Sequence, residues 1–336
     1  MIEYILILPI LVSFLIALFA IPIWIRKAKQ IGLVGKDKNK SDHPETAESG
    51  GIVVFVAFII GVLCYVAIKT FILKTDTTTV DIFALLTTIT LAALIGIVDD
   101  LFSVVHGGLS NKLRVFLVLF SAIPLMVINA GFSEINLFGT NLNIGILYPL
   151  ILIPIGVVGA VTTYNFLAGF NGLETGQGII IISFLSLVAY LTGSSWLALI
   201  GLSMVASLLV FYYHNKFPSS VFPGDSGTYT IGALIAGMAI LGNFERIAVF
   251  IFVPYIIEII LKLRGGLKKQ SFGIPQKDGS LEMPYKKIYG LEHLAIKIIK
   301  KIKGKAYERD VGYLISCVQI IICLIALWLF RMSLFA

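Results

Sequence analysis

Three polar stretches in an otherwise apolar chain carry side chains that could do chemistry. The first is Gly96-Ile97-Val98-Asp99-Asp100. Two adjacent carboxylates at the end of an apolar helix oppose its dipole, which favours cations there, and they repel each other. A pair kept in so unfavourable a place suits cation binding or proton transfer; the plain alternative is a solvated acidic loop. The second stretch, Tyr164 to Gly178, has no Lys or Arg but holds Asn165, Asn171, Glu174, Gln177 and four glycines. Glycines let the backbone approach a ligand and present N–H groups, as phosphate or a base edge requires, although Asn and Gly also make ordinary turns. The third, Phe222-Pro223-Gly224-Asp225-Ser226-Gly227, puts Asp225 just before an apolar run. Asp225 there is either an N-cap or a metal carboxylate beside the positive end of a helix. Glu258, inside another apolar run, has Lys262 four residues on, and an i,i+4 ion pair accounts for it.

Taken together, these groups are oxygen donors without clustered His or Cys, a set that suits Mg²⁺ or Mn²⁺ and not zinc. Mg²⁺ takes few protein ligands and usually arrives with phosphates. Lys112 and the lysines of 262–310 supply positive charge nearby. The chemistry implied is a metal-dependent reaction of a phosphate substrate.

The elements that position these groups are membrane helices. Of 336 residues, 58% are hydrophobic and 13% charged, too few charges to cover a water-facing surface and too much apolar side chain for disorder. Ten apolar stretches are long enough, or nearly so, to span a bilayer, near 2–25, 51–69, 82–98, 114–130, 145–164, 178–192, 195–212, 227–242, 246–262 and 311–330. The first ends in Ile25-Arg26-Lys27 and lacks a basic leader, so it reads as a span and not a cleaved signal. Twenty-two Lys and Arg fall on one set of alternate loops and four on the other. The positive-inside bias therefore predicts an all-α, ten-span, N-out/C-out multi-pass protein of the cell membrane, with all three polar stretches on the cytoplasmic face. The net charge of +7 is explained by those loops, so nucleic acid is not an expected partner. Residues 1–336 form one integral membrane unit. Its one sizeable water-exposed stretch is 263–310, where Leu291 to Lys305 reads as a basic amphipathic helix, either lying on anionic lipid or packed on the bundle. Cys64, Cys317 and Cys323 lie in apolar runs and match no metal or disulfide pattern.

At these loops the sequence resembles the polyprenyl-phosphate N-acetylhexosamine-1-phosphate transferases, glycosyltransferase family 4. The matching segments are Gly96 to Asp100, Asn165 to Gln177 and Val221 to Asp225. Asn165-Phe-Leu-Ala-Gly-Phe-Asn-Gly-Leu-Glu-Thr-Gly-Gln177 and Gly279-Ser-Leu-Glu-Met-Pro-Tyr285 look like the eukaryotic and archaeal dolichyl-phosphate branch. The resemblance implies transfer of N-acetylglucosamine-1-phosphate from UDP-N-acetylglucosamine to a membrane polyprenyl or dolichyl phosphate, releasing UMP, as a first step toward protein N-glycosylation. It implies Mg²⁺ (or Mn²⁺) held by Asn165 and Asp225, an acceptor oriented by Asp99 and Asp100, and a pyrophosphate contact from Lys112. Gly169, Asn171, Glu174 and Phe222 would bind the donor, with Gly169, Asn171 and Phe222 around its uridine. A homodimer is allowed for. Thr162 stands where the family often has a second Asn, and Ser271-Phe272-Gly273 stands where the eukaryotic branch has an Arg/His-rich sugar motif; His293 is the only His of that loop.

Two other classes stay open on the sequence. A cell-wall or capsule precursor enzyme would use the same chemistry on another UDP-sugar. A lipid or solute transporter would also be polytopic, but predicts polar sites at mid-bilayer and pseudo-symmetric halves.

Overall fold

A computed structural model describes residues 5–137 and 140–331; residues 2–4 of the first predicted span lie outside it. In chain order, α1 (Leu8–Gln30) is followed by a hairpin of β1 (Val34–Lys36) and β2 (Glu45–Ala47), then α2 (Gly51–Ala67) with a π-helical extension to Leu73. Next come α3 (Thr79–His106), α4 (Asn111–Ser121), the short α5 (Ile123–Val127) and a hairpin of β3 (Glu134–Leu137) and β4 (Thr140–Asn143). A π turn leads into α6 (Ile153–Phe166), and α7 (Leu173–Leu191), α8 (Ser195–Asn215) and α9 (Gly224–Leu241) follow. The chain ends with α10 (Glu245–Ile251), α11 (Val253–Arg264), a two-residue ribbon of β5 (Ile274–Pro275) and β6 (Leu281–Glu282), α12 (Leu291–Lys303) and α13 (Glu308–Leu329).

Seven of these helices are long and apolar enough to cross a membrane: α1, extended α2, α3 as far as Ser103, α6 with its π turn, α7, α8 and α13. The chain is thus a mostly helical, multi-pass membrane protein. α1 and α13 stand at the periphery, with Leu11, Leu15 and Phe19 on the one and Ile321, Leu324 and Trp328 on the other left exposed for lipid. α9 is the opposite. It is buried without a break from Ser226 to Ile240, packed against α3, α6 and α2. Its Gly, Ala, Ser and Thr lower its hydropathy but let neighbouring backbones come close, the usual solution where helix meets helix inside a bilayer. At Gly96 of α3 an added Cβ would sit 2.5 Å from the carbonyl oxygen of Asp225, so this crossing exists only because Gly96 has no side chain.

The elements differ from the sequence expectation at three places. α3 continues to His106 and ends at Gly107 (φ 80°), so Asp99 and Asp100 sit within the helix and not at its C-terminus. The stretches 114–130 and 246–262 are each broken in two, after Ser121 and at Phe252, where Pro124 and Pro254 occupy the first turn of the new helix and cannot donate to the preceding one. Three short hairpins join the helical elements. The first is extended by Val221, which bridges Ala47 in parallel, while Phe222 donates its N–H to the Ala47 carbonyl (2.8 Å) and accepts from Gly50 (2.9 Å).

Candidate active site

Asp99, Asp100 and Asp225 meet where α3 crosses α9. The Asp100 carboxylate accepts from the backbone N–H of Asp225 (2.7 Å) and of Ser226 (3.2 Å), capping the first turn of α9 from a neighbouring helix. The cap that the sequence could have assigned to Asp225 itself is therefore supplied in trans, leaving the Asp225 side chain free to turn outward. Asp99, fully buried, accepts from Leu109 N–H (2.7 Å) and from Arg114 Nη2 (3.0 Å), with Arg114 Nε 2.5 Å from its other oxygen. Arg114 Nη2 also lies 4.0 Å from Asp225 Oδ2. At the end of α6, Asn165 donates its amide to Asp225 Oδ1 (2.9 Å).

Arg114, and not Lys112, is thus the cation brought to the carboxylates; Lys112 is exposed and has no ionic partner among the described residues. The two are neighbours on α4 two positions apart, and residues i and i+2 of a helix point to different faces. A sequence cannot say which of them faces α3 without the helix's rotation.

Beside this cluster lies a cavity of about 300 Å³. Asn165, Gly169, Glu174, Phe222 and Asp225 line it, as do Lys36, Lys38, Glu48, Thr228 and Phe272. Gly169 has φ +105°, and a Cβ there would come 2.7 Å from the Phe272 ring, so both backbone conformation and space require glycine. Glu174, buried at the start of α7, accepts from Gly169 N–H (2.8 Å) and holds that turn closed. Lys38 lies 4.8 Å over the Phe272 ring.

Asp99, Asp100, Lys112 and Asn171 do not line the cavity. Asn171 is a hub behind it. It donates to Asp37 Oδ2 (3.0 Å) and Glu308 Oε1 (2.6 Å), accepts from Ser219 N–H (2.6 Å), and donates its own N–H to Glu308 (2.8 Å). Asn39 adds a bond to the Gly169 carbonyl (2.8 Å) and accepts from Gly273 (3.1 Å). The first hairpin loop, the Gly169–Gly172 turn, the 271–273 segment and the start of α13 are locked together in this way. Sequence inspection missed Asp37, Asn39, Glu48 and Glu308. Their only signal was polar residues in a loop already rich in charge, where a solvated reading is the default.

His293, the only His of the 263–310 loop, lies buried behind Tyr285, accepts from Tyr289 N–H (3.3 Å) and does not reach the cavity; burial and the Lys262 charge lower it to about 4. Glu48 does face the cavity. Burial above all, then the charges of Asp100 and Glu174, push its acid up to about 8.

The donor set fits a cation that brings its own ligands. Among the described residues no three His, Cys, Asp or Glu side chains are grouped to form a metal cage. Asn165 and Asp225 nevertheless touch at the cavity wall, and Asp99 and Asp225 share Arg114. That local excess of negative charge, with Asn165 and Asp225 side by side at the cavity wall, is a donor set that would suit a Mg²⁺ ion carried in on phosphate oxygens.

The sequence model of glycosyl transferase family 4 matches residues 82–243. Over 324 residues the chain is 36% identical to a Saccharolobus solfataricus protein named as a candidate UDP-N-acetylglucosamine–dolichyl-phosphate N-acetylglucosaminephosphotransferase, a match covering 95% of each. A Sulfolobus acidocaldarius protein of the same name is 29% identical over 326 residues, 95% of this chain and 94% of its own. A Streptococcus pyogenes phospho-N-acetylmuramoyl-pentapeptide-transferase is 27% identical over 256 residues, covering 74% and 76%. The likeness runs nearly end to end, and the matched stretch holds Asp99, Asp100, Arg114, Asn165 and Asp225, so the chain belongs to glycosyl transferase family 4, alongside its archaeal members.

Proposed function

We propose that the protein transfers N-acetylglucosamine-1-phosphate from UDP-N-acetylglucosamine to a polyprenyl phosphate of the dolichyl type, releasing UMP, at the cytoplasmic face of a ten-span, N-out bundle. The observation that carries this reading is the polar cavity with Asn165 and Asp225 in contact on its wall and Arg114 alongside. Of the acidic cluster, Asp225 alone lines that cavity. A second cavity, of about 790 Å³, is apolar and follows α6 from Thr163, two residues before Asn165, back to Tyr148 and Phe132. At about 1.5 Å per residue, the helical part from Thr163 to Ile153 spans roughly 15 Å. We place the acceptor's chain in that groove, which would direct its phosphate toward the Asn165 end of α6. The convergence of residues 35–48, 168–174, 215–225 and 272 on one cavity, with Arg114 beside it, supports placing all these loops on one side of the membrane.

In this reading Gly169 and Phe222 flank the donor's base, with Glu174 and the Asn171 hub keeping the turn in shape. Asn165 and Asp225 hold Mg²⁺, which when bound neutralises diphosphate charge and favours the leaving group. Arg114 contributes a second positive charge, oriented by Asp99, while Asp100 fixes the start of α9 and so the place of Asp225. An oxygen of the lipid phosphate bonds to the β-phosphorus of the donor. The bond from that phosphorus to the bridging oxygen breaks, and the oxygen leaves with UMP. A phosphate monoester has a second pKa of about 6, so the attacking dianion needs no strong base.

The decisive measurement uses purified protein in vesicles with UDP-N-acetylglucosamine. UMP should appear only when both dolichyl phosphate and Mg²⁺ are present. Movement of lipid or nucleotide without UMP release would replace the transferase reading with the transporter one, and UMP release from another UDP-sugar alone would change the donor.

A further inference from the structure

α12 packs through only part of its apolar surface. At about 100° per residue, Glu292, Ala295 and Ile299 share the arc turned toward the bundle, and all are buried. The next arc faces the water-side loop: Ile296 lies against Gly273, Lys300 pairs with Glu282 on β6, and the His293 ring meets Tyr285. Opposite that loop the helix is again apolar. Leu291, Leu294, Ile298 and Ile302 follow one another at i, i+3, i+7 and i+11, with Ile298 39% and Ile302 76% exposed. Leu291 and Leu294 are half-buried, Leu291 against the core, while Ile298 and Ile302 on the face turned away from the loop have nothing in the fold to cover them.

The lysines sort in the same way. Lys300, Lys303 and Lys305 are paired with Glu282, Asp310 and Asp278. Lys297 and Lys301, along the edge of the open apolar stripe, have no carboxylate partner among the described residues. The helix is also tied to the transmembrane bundle at both ends. Glu258 of α11 accepts from Leu291 N–H at its start, and α13 begins at Glu308, five residues after its end.

We infer that α12 is an interfacial helix: its Leu291–Leu294–Ile298–Ile302 stripe lies in the headgroup–acyl boundary of the same membrane, with Lys297 and Lys301 on anionic lipid headgroups. The two readings open on the sequence, lipid contact and bundle contact, apply to different faces of one helix. Apolar side chains entering the boundary beside lysines that reach headgroup phosphates are the chemistry of such helices.

The test uses full-length protein in vesicles of phosphatidylcholine, with or without phosphatidylglycerol. A fluorophore is attached at Ile302→Cys or, as control, at Lys277→Cys on the exposed loop, both in a Cys317→Ser background whose own labelling is subtracted. At position 302 a lipid spin-labelled near its headgroup should quench several-fold more, and aqueous iodide several-fold less, than at position 277. Adding phosphatidylglycerol should shift the 302 emission to the blue, and Lys297→Gln with Lys301→Gln should abolish that shift. Equal iodide quenching at both positions would overturn the inference, as would protection from iodide without lipid quenching, which would mean that another protein covers the face. An unchanged blue shift in the double variant would overturn the assignment of the lysines to anionic headgroups.

Discussion

Two buried groups of acids sit against a single cation in this molecule, and they differ in what they open onto. Asp99 and Asp225 flank Arg114 at the α3–α9 crossing, with Asp100 beside them capping the first turn of α9. Glu258 and Glu292 surround Lys262 between α11 and α12, where Lys262 lies 3.3 Å from Glu258 and also bonds Ser271. In the second group every charged side chain is nearly inaccessible. Glu258 caps α12 through Leu291 N–H (2.6 Å), and burial with Glu258 alongside pushes the Glu292 acid well above the usual carboxylate range. Glu258 and Lys262 are matched within the cluster, and the group is closed. In the first, Asp100 is likewise used as a cap and Asp99 as an arginine partner, but Asp225 remains 21% exposed on the cavity wall. Burial of charge alone therefore does not mark a site. What distinguishes the first group is an acid held in place by its neighbours yet reachable from a cavity.

The largest effect should come from Asp225→Asn. Transfer of sugar-phosphate is expected to fall by about a thousandfold, as when an electrostatic group at a reacting centre is removed, with the elution profile and melting temperature of the folded protein kept. Retained turnover would break the comparison, since the open group would then be as structural as the closed one. Arg114→Lys comes next. It keeps the charge but loses the planar fork that grips Asp99, so the rate should drop by roughly a hundredfold, while Lys112→Ala should leave it near wild type. The reverse ranking in steady-state assays would restore Lys112 to the site.

Lys262→Met addresses the closed group. Stranding Glu258 in a buried position should cost about 3 kcal/mol of stability, read by denaturation, while the rate per folded molecule changes little. A loss of rate matching the Arg114 variant would show that the second group also serves the reaction.

Glu48→Gln has the smallest expected effect on rate and probes stability against pH. The acid is held protonated in the fold up to about 8, whereas its ordinary value is 4.5. Between those values the folded state keeps a proton that the unfolded chain has released. Wild-type stability should therefore fall, relative to the variant, as pH rises from about 4.5 to about 8, and the gap should level off above that. Parallel curves of melting temperature against pH for the two proteins would rule out that protonation.

Much of this was legible in the residues. The Asn165–Gln177 stretch, Asp225 and the Asp pair stand out because polar groups are rare in so apolar a chain. The i,i+4 spacing of Glu258 and Lys262 predicted their pairing directly. Other features were hidden for physical reasons. Helix rotation decided between Lys112 and Arg114. The bonds of Asn171 run to Asp37, Ser219 and Glu308, far away in the chain, and nothing local announces them. The length of α3 was underestimated because hydropathy falls at Asp99 while the backbone continues helical to His106.

By itself, the sequence determined that the chain lives in a membrane, which stretches hold its rare polar groups and which side of the bilayer they are expected to share. These follow from local composition, because the cost of placing a polar group in hydrocarbon is settled residue by residue. Only the tertiary structure decided which acids face a cavity and which are used as caps. That depends on close approach, as at Gly96 where α3 meets α9, and the contacts formed there belong to neither helix alone.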